Sequence, residues 1–370
     1  MPFQIHPKIC RFDTCAEFAD AYEIGRGDLM ITNEYIYKPF FEPLGLKCDV
    51  LFQERYGAGE PTDVMIDSMF EDVKGKAIRR VIAVGGGTVL DISKLFALKQ
   101  GSPILDLFDG KIIPERDKPY IAVPTTCGTG SEVTNLVVVD QTRRGTKAGF
   151  GTADMYADDA VLIPELLKTL PLRFFATSSI DAFIHGIESY LSPKATRDSQ
   201  MFSREAMRLI LNGYLRIEKE GADARLAEAE NFLTAATYAG VAFGNAGCAA
   251  VHAMSYPLGG HYHVPHGEAN YAMFRGVFAA YMAKNPGGRI DELNGFLANI
   301  LGCEKAEVYN VISRLFDNVL PAKPLHEYGM KEEECETFAD IVVEKQTRLT
   351  NNNYVKFGRD DYVAIYRSLY

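Results

Sequence analysis

IAVGGGTVLDISK, residues 82–94, passes from a short apolar run through three consecutive glycines into a helix-like pattern opened by Thr88. A continuous apolar run of this length fits a strand buried on both faces. The amphipathic segment VLDISKLFALK (89–99) that follows fits a helix. A glycine turn between the two suits a pyrophosphate. Glycine lets backbone approach a ligand without a Cβ in the way. The first amides of the next helix have no intrahelical partner and carry the positive end of its dipole. Thr88 fits either as the helix cap or as a donor to a phosphate. The spacing is not G-x-G-x-x-G, so the ordinary dinucleotide fingerprint is absent. A purely structural glycine-capped turn is the competing reading.

Outward from this turn the same texture repeats. DLMIT (28–32), CDVLF (48–52), RRVIAV (79–84), PYIAV (119–123), NLVVVD (135–140) and AVLI (160–163) are strand-sized, with amphipathic segments such as PTDVMIDSMFEDVK (61–74) between them. Strands alternating with helices predict a parallel sheet in a Rossmann-like α/β domain. Beyond Leu170 the pattern turns helical: MFSREAMRLILNGYLRIEKE (201–220), DARLAEAENFLTAATYAGVAF (223–243), EANYAMFRGVFAAYMAK (268–284) and KEEECETFADIVVEKQTRL (331–349). Proline at both ends of IPELLKTLP (163–171) marks the boundary. The expected organisation is an α/β dinucleotide-binding domain over 1–170 and an all-helical metal and substrate domain over 171–370, with a ligand cleft between them.

The net charge of −10 argues against nucleic-acid partners and anionic membranes. No stretch approaches the ~20 apolar residues of a membrane span. The seven cysteines are scattered, odd in number and never in a C-x-x-C pair, which predicts reduced thiols. The first residues carry no apolar run behind a basic start. A cytoplasmic enzyme without nucleic-acid or membrane partners is the expectation.

A second loop, PTTCGTGSEVT (124–134), follows the strand YIAV and offers hydroxyls and glycines suited to ribose and phosphate contacts. Cys127 within it reads as a small buried thiol, since nothing nearby supplies a base. After DLMIT come Asn33 and Glu34. A carboxylate near such a strand end grips a ribose 2′-hydroxyl and repels a 2′-phosphate. Asn33 would bond the hydroxyl and repel phosphate less, with Glu34 either sharing the task or facing solvent. NAD is favoured over NADP.

VHAMSYPLGGHYHVPHGE (251–268) holds four of the seven histidines, and its prolines and glycines predict that it is not one unbroken helix. Upstream, in SSIDAFIHGIESY (178–190), Asp181 and His185 stand at i and i+4 on one helix face. The flanking residues are apolar, and a buried carboxylate needs a cation. Two further ligands would complete an N/O-rich site suited to Fe²⁺ or Zn²⁺. Composition alone does not rank His252, His261, His263 and His266 for that role.

GGGTVLDISK, PTTCGTGSE, DAFIHGIE and VHAMSYPLGGHYHVPHGE, in this order and spacing, resemble the iron-dependent (group III) alcohol dehydrogenase family essentially end to end. The resemblance implies metal ligands at Asp181, His185, His252 and His266. It implies dinucleotide contacts at Gly86, Gly87, Thr88, Thr125, Thr126 and Thr129, Lys147 on the nicotinamide-ribose side, and Phe243 in the substrate pocket. TNE after the first strand, FQERYGAGEP (52–61), YHVPHGEAN and NNNY resemble a branch whose substrate carries a carboxylate beside a primary alcohol or aldehyde, as 4-hydroxybutyrate and succinate semialdehyde do. Arg348 and His263 are the candidate carboxylate anchors, each with a structural reading of equal weight. Most of the family has histidine where this chain has Tyr256. The family's Asp-Pro is Ile163-Pro164 here, and its Asn-Pro-Arg is Asn353-Tyr354-Val355. The proton relay then falls to Tyr256, His261 or His263, with His263 favoured. The implied reaction is reversible hydride transfer with NAD and a bound metal, in a homodimer. The competing readings are a same-family dehydrogenase of a simple primary alcohol or diol, a dehydroquinate-synthase-like cyclase using NAD and metal, and a non-enzymatic nucleotide-binding protein.

Overall fold

The computed structural model describes residues 3–370. They form two compact units, Ile5–Leu170 and Pro171–Tyr370, the latter joined by Phe3 and Gln4.

In the first unit the strands are β1 (Lys8–Arg11), β2 (Asp28–Thr32), β3 (Asp49–Phe52), β4 (Arg80–Gly85), β5 (Tyr120–Pro124), β6 (Leu136–Gln141), β7 (Thr146–Gly151) and β8 (Asp159–Leu162). The helices are α1 (Cys15–Ala21), α2 (Glu34–Phe40), α3 (Asp63–Asp72), α4 (Gly87–Phe96) and α5 (Ile104–Phe108). Six strands make one parallel sheet in the order β1-β8-β5-β4-β2-β3. Successive side chains enter opposite cores. Leu29, Ile31, Val81, Ala83, Tyr120 and Ala122 join one cluster, while Met30, Ile82, Val84, Ile121 and Val123 join the other. Burial on both faces explains why these strands read as unbroken apolar runs.

From β2 the chain steps outward to β3; from β4 it steps the other way, to β5 and then β8. The order therefore reverses between β2 and β4, and ligands of open α/β sheets bind outside the carboxyl ends at such a reversal. Register places Thr32 beside Val84 and Phe52, and Gly85 beside Pro124, so the segments after β2, β3, β4 and β5 leave from one edge.

The apolar run 135–140 is a strand but lies outside the parallel sheet: β6 pairs antiparallel with β7. Its residues alternate between buried and half-buried, the signature of one covered face. The partner, TKAGFG, carries no apolar run, so nothing in its composition announced a strand. β1, four residues bounded by Lys8 and Arg11, was equally silent.

The second unit is helical: α6 (Leu172–Leu191), α7 (Arg197–Glu220), α8 (Ala224–Ala227), α9 (Ala229–Ala246), α10 (Ala250–Tyr262), α11 (His266–Lys284), α12 (Arg289–Leu301), α13 (Val308–Asp317), α14 (Glu334–Lys345), α15 (Thr347–Thr350) and α16 (Arg359–Leu369). α6 is buried almost all round and packs against α7, α9 and α11, as a helix apolar on every face must. The continuous patterns at 223–243 and 331–349 are each broken, at Glu228 and Gln346. α7 starts earlier than its apolar periodicity, because Thr196 and Ser199 form a capping box ahead of it.

Residues 251–268 are two helices parted at His263, whose φ of 53° ends α10 in the left-handed region. Pro257, contrary to expectation, lies inside α10 rather than at the break. Proline removes a backbone donor there. The carbonyl that loses its i+4 donor is that of Ala253; its two neighbours in the same turn take hydroxyls, Ser255 donating to the His252 carbonyl at 2.9 Å and Tyr366 to the Met254 carbonyl at 2.6 Å. None of the seven cysteines is in a disulfide. No helix among the described residues is long and apolar enough to cross a membrane.

Candidate functional site

Asp181 and His185 lie one turn apart on α6, His252 near the start of α10, and His266 at the first position of α11. One ligand atom from each comes within 4.8 Å of all the others. Gly267 makes the approach possible: a Cβ there would lie 2.2 Å from the Thr177 carbonyl oxygen and 3.2 Å from Asp181 Cβ. α11 therefore begins almost in contact with the backbone of α6.

The Asp181 carboxylate is the hub. His185 Nδ1, His252 Nε2 and His266 Nε2 stand 3.9, 3.8 and 3.9 Å from its oxygens. Asn270 Nδ2 donates to Oδ1 at 2.7 Å and approaches His266 Nε2 at 3.1 Å. Burial alone would push the Asp181 carboxyl up, but the three imidazoles and the Asn270 amide outweigh it and hold it below the usual carboxylate range. His252 Nε2 is buried with no hydrogen-bond partner. A buried acceptor beside a buried carboxylate is costly unless a cation joins them. Three imidazoles and one carboxylate are a donor set for Fe²⁺ or Zn²⁺. The residues present fit such an ion.

The side chains of His185, His252 and Asp181 are 6%, 4% and 4% exposed, whereas that of His266 is 34% exposed, so the cluster opens on the His266 side. The Phe243 ring stacks on His185, with centroids 4.3 Å apart. The Tyr256 ring lies 6.1 Å from that of His266. His263 is exposed at the end of α10, and His261 is drawn toward Glu334 at 3.7 Å. Arg348 is exposed on α15, its backbone carbonyl accepting from Asn352 Nδ2 at 3.2 Å.

Two residues around the cluster were not anticipated. Glu188 is fully buried on α6 and accepts from the backbone amides of Ala249 and Val251 at 3.0 and 2.6 Å. It also meets His252 Nδ1 at 2.7 Å. Burial opposes a proton on His252, yet Cys248 and this carboxylate outweigh it and raise its proton affinity well above the ordinary imidazole range. Glu188 stands three residues after His185 and seven after Asp181, on the same helical face; that spacing was the available signal. Asn270, four residues after His266, obeys the same rule.

In the first unit, the loops after β4 and β5 pack together. A Cβ on Gly86 would touch Thr126 Cγ2 at 3.5 Å, and one on Gly87 would meet Thr129 Cγ2 at 2.8 Å. Thr125 is buried and its amide continues the sheet to the Gly85 carbonyl at 3.0 Å. α4 opens with Gly86 as its cap residue and no acidic side chain in the first turn, leaving its leading amides at the sheet edge beside the reversal. That cradle suits a pyrophosphate.

Thr88 does not cap the helix. Its hydroxyl donates to the Gly59 carbonyl at 2.9 Å; the cap position is Gly86, two residues earlier. Lys147, on β7, pairs with Glu60. The 57–61 loop is thus tied both to α4 and to the β6–β7 hairpin. Cys127 is fully buried. Asn33 is buried too, and its Nδ2 donates to Glu54 Oε2 at 2.9 Å and Gln53 Oε1 at 3.3 Å.

The description "Iron-containing alcohol dehydrogenase" matches residues 15–164, and "Fe-containing alcohol dehydrogenase family, C-terminal" matches residues 175–370. The chain is 52% identical, over 99% of its length and 99% of the relative's, to 4-hydroxybutyrate dehydrogenase of Clostridium kluyveri. It is 32% identical to sulfoacetaldehyde reductase of Bilophila wadsworthia, over 83% of this chain and 80% of that one. Among solved structures, a 1,3-propanediol oxidoreductase matches with a TM-score of 0.83 at 22% identity, covering 100% of both chains. The sulfoacetaldehyde reductase of Bifidobacterium kashiwanohense, solved with NAD+, matches with a TM-score of 0.82 at 22% identity, covering 100% of this chain and 98% of that one. With both halves matched by the family's descriptions, and a relative sharing half its residues along nearly the whole length, this chain belongs to the iron-containing alcohol dehydrogenase family.

Proposed function

We propose that the protein is an NAD- and metal-dependent dehydrogenase interconverting 4-hydroxybutyrate and succinate semialdehyde. The observation that carries this reading is the convergence of Asp181, His185, His252 and His266 within 4.8 Å of one another, in a chain 52% identical to a 4-hydroxybutyrate dehydrogenase. Those four residues hold Fe²⁺, with Zn²⁺ fitting the same donors. The bound metal supplies Lewis-acid polarisation of a carbonyl or alcohol oxygen, and the nicotinamide supplies or accepts hydride.

The remaining work is done by the chain itself. The amides at the start of α4, with Gly86 and Gly87 beside Thr126 and Thr129, hold the pyrophosphate, and Thr125 fixes the second loop on the sheet. Thr88 and Lys147 act through the 57–61 loop that they anchor. Phe243, stacked on His185, forms an apolar wall at the metal cluster. Tyr256, near His266, takes up or gives the hydroxyl proton, with His263 as the exposed outlet at the end of α10. Arg348 is the cation offered to the far carboxylate. The residues 1–170 serve the dinucleotide and 171–370 the metal and substrate, in a cytoplasmic homodimer.

The test is NADH formation by anaerobically prepared, Fe²⁺-loaded protein with 4-hydroxybutyrate, set beside butanol, NADP and the His266→Ala variant. Turnover that requires the carboxylated alcohol and disappears in the variant is expected. Turnover on butanol alone keeps the family and overturns the substrate. Silence on every alcohol, with NADH still bound, favours the cyclase reading.

A further inference from the structure

Asn33 directly follows the strand β2, which neighbours the strand that carries the glycine loop. In dinucleotide sheets that place belongs to the residue that meets the adenosine ribose, where a carboxylate bonds the 2′-hydroxyl and repels a 2′-phosphate. Asparagine has no charge with which to repel. The structure brings one from the next strand. Glu54, in the turn after β3, places Oε2 2.9 Å from Asn33 Nδ2 and Oε1 2.5 Å from the backbone amide of Glu34. Glu34 itself turns to Lys38 at 3.1 Å, with its side chain 43% exposed.

We propose that Glu54 is the residue that selects NAD over NADP, with Asn33 as the amide that holds its carboxylate at the end of β2. This rests on reading the Ile5–Leu170 unit as the dinucleotide-binding one. Asn33 Oδ1, which also accepts from the Tyr35 hydroxyl at 3.3 Å, and both Glu54 oxygens retain lone pairs for a ribose hydroxyl. A 2′-phosphate brought to the same place would bring negative charge against a half-buried carboxylate already committed to two donors. The only cation beside Glu54 in sequence is Arg55, whose guanidinium lies over the Phe52 ring at 4.7 Å. An arginine at this edge is the feature that would instead welcome a 2′-phosphate, so the two neighbours make opposite predictions.

NADH and NADPH are titrated by fluorescence against the wild-type protein, Glu54→Gln and Asn33→Ala. Glu54→Gln keeps an acceptor for the Glu34 amide and removes the charge; its preference for NADH over NADPH should shrink on the order of tenfold. Asn33→Ala keeps the charge but releases the carboxylate from its side-chain donor, and should lose part of the preference, less than Glu54→Gln does. An unchanged preference in Glu54→Gln, a preference that falls further in Asn33→Ala than in Glu54→Gln, or a wild-type protein that favours NADPH each overturns the assignment. Should Glu54→Gln fail to fold, Glu54→Ala removes the same charge, and its NADH to NADPH ratio is read against the same outcomes. Folded wild-type protein that binds neither cofactor would bring down the dinucleotide reading itself, whereas NADH binding with an unaltered ratio removes only Glu54.

Discussion

Glu188 Oε2 lies 2.7 Å from His252 Nδ1, on the side of the imidazole away from Asp181, whose Oδ1 is 3.8 Å from His252 Nε2. A carboxylate on one ring nitrogen fixes the proton there and leaves the other as a lone-pair donor.

Replacing Glu188 with glutamine disturbs this without changing size. An amide cannot accept at both oxygens, so it loses either the Val251 contact or the one shared by Ala249 and His252. Metal affinity should fall roughly 10–100-fold. Competition against a chelator measures it, with helical content by circular dichroism as the control. A folded variant with wild-type affinity would dismiss the positioning role.

His266 separates ligation from packing, being the most exposed of the four. His266→Ala should leave the metal-free protein folded, at a cost of about 0.5–1.5 kcal/mol for the lost contact with Asn270. Metal retention should be lost. A variant that keeps stoichiometric iron after gel filtration would refute the four-residue set.

Gly87 faces Thr129 Cγ2, which a Cβ would approach to 2.8 Å. Gly87→Ala should weaken NADH binding and cost about 1–3 kcal/mol of stability as an overpacked contact. Adding Thr129→Ser removes the obstructing methyl and should recover part of both. Equal losses in the single and double variants would mean that the loops do not meet as described.

Asp63 ties α3 to the β6–β7 turn. Its carboxylate accepts from the Thr142 hydroxyl at 2.6 Å and from the amides of Thr142 and Arg143 at 3.0 and 3.3 Å. Burial works to raise this carboxyl, but those donors and the Arg143 charge outweigh it, so its folded value lies below the ordinary one. Such a group stabilises the fold above its unfolded value of about 3.9 and ceases to do so as pH falls through the lower, folded value. Asp63→Asn should cost about 1–3 kcal/mol near neutrality, and the gap to wild type should close on strong acidification. Denaturant midpoints across that range check it; a gap independent of pH would refute the linkage.

The central strands were legible because burial on both faces leaves an uninterrupted apolar signature, and β2 has the same bounds as DLMIT. Asp181 and His185 stood out as a polar pair among apolar neighbours, whereas His252 and His266 were singled out from the four downstream histidines only by the family resemblance. What escaped depends on contacts remote in sequence. β7 is a strand through its partner rather than its composition, and Glu54 reaches Asn33 from the end of the neighbouring strand. Pro257 stays inside α10 against the local rule for proline, in a turn whose Met254 carbonyl also accepts a hydroxyl from α16.

At Gly267 the alphabet of amino acids offers no conservative replacement. Every other residue brings at least the one carbon that would collide with the Thr177 carbonyl 2.2 Å away, so mutational drift has no intermediate step there. A position that touches neither proton nor hydride is thereby as constrained as the histidine beside it. In a collection of random variants of this enzyme, inactive clones should include changes at this silent glycine as readily as changes at the ligands.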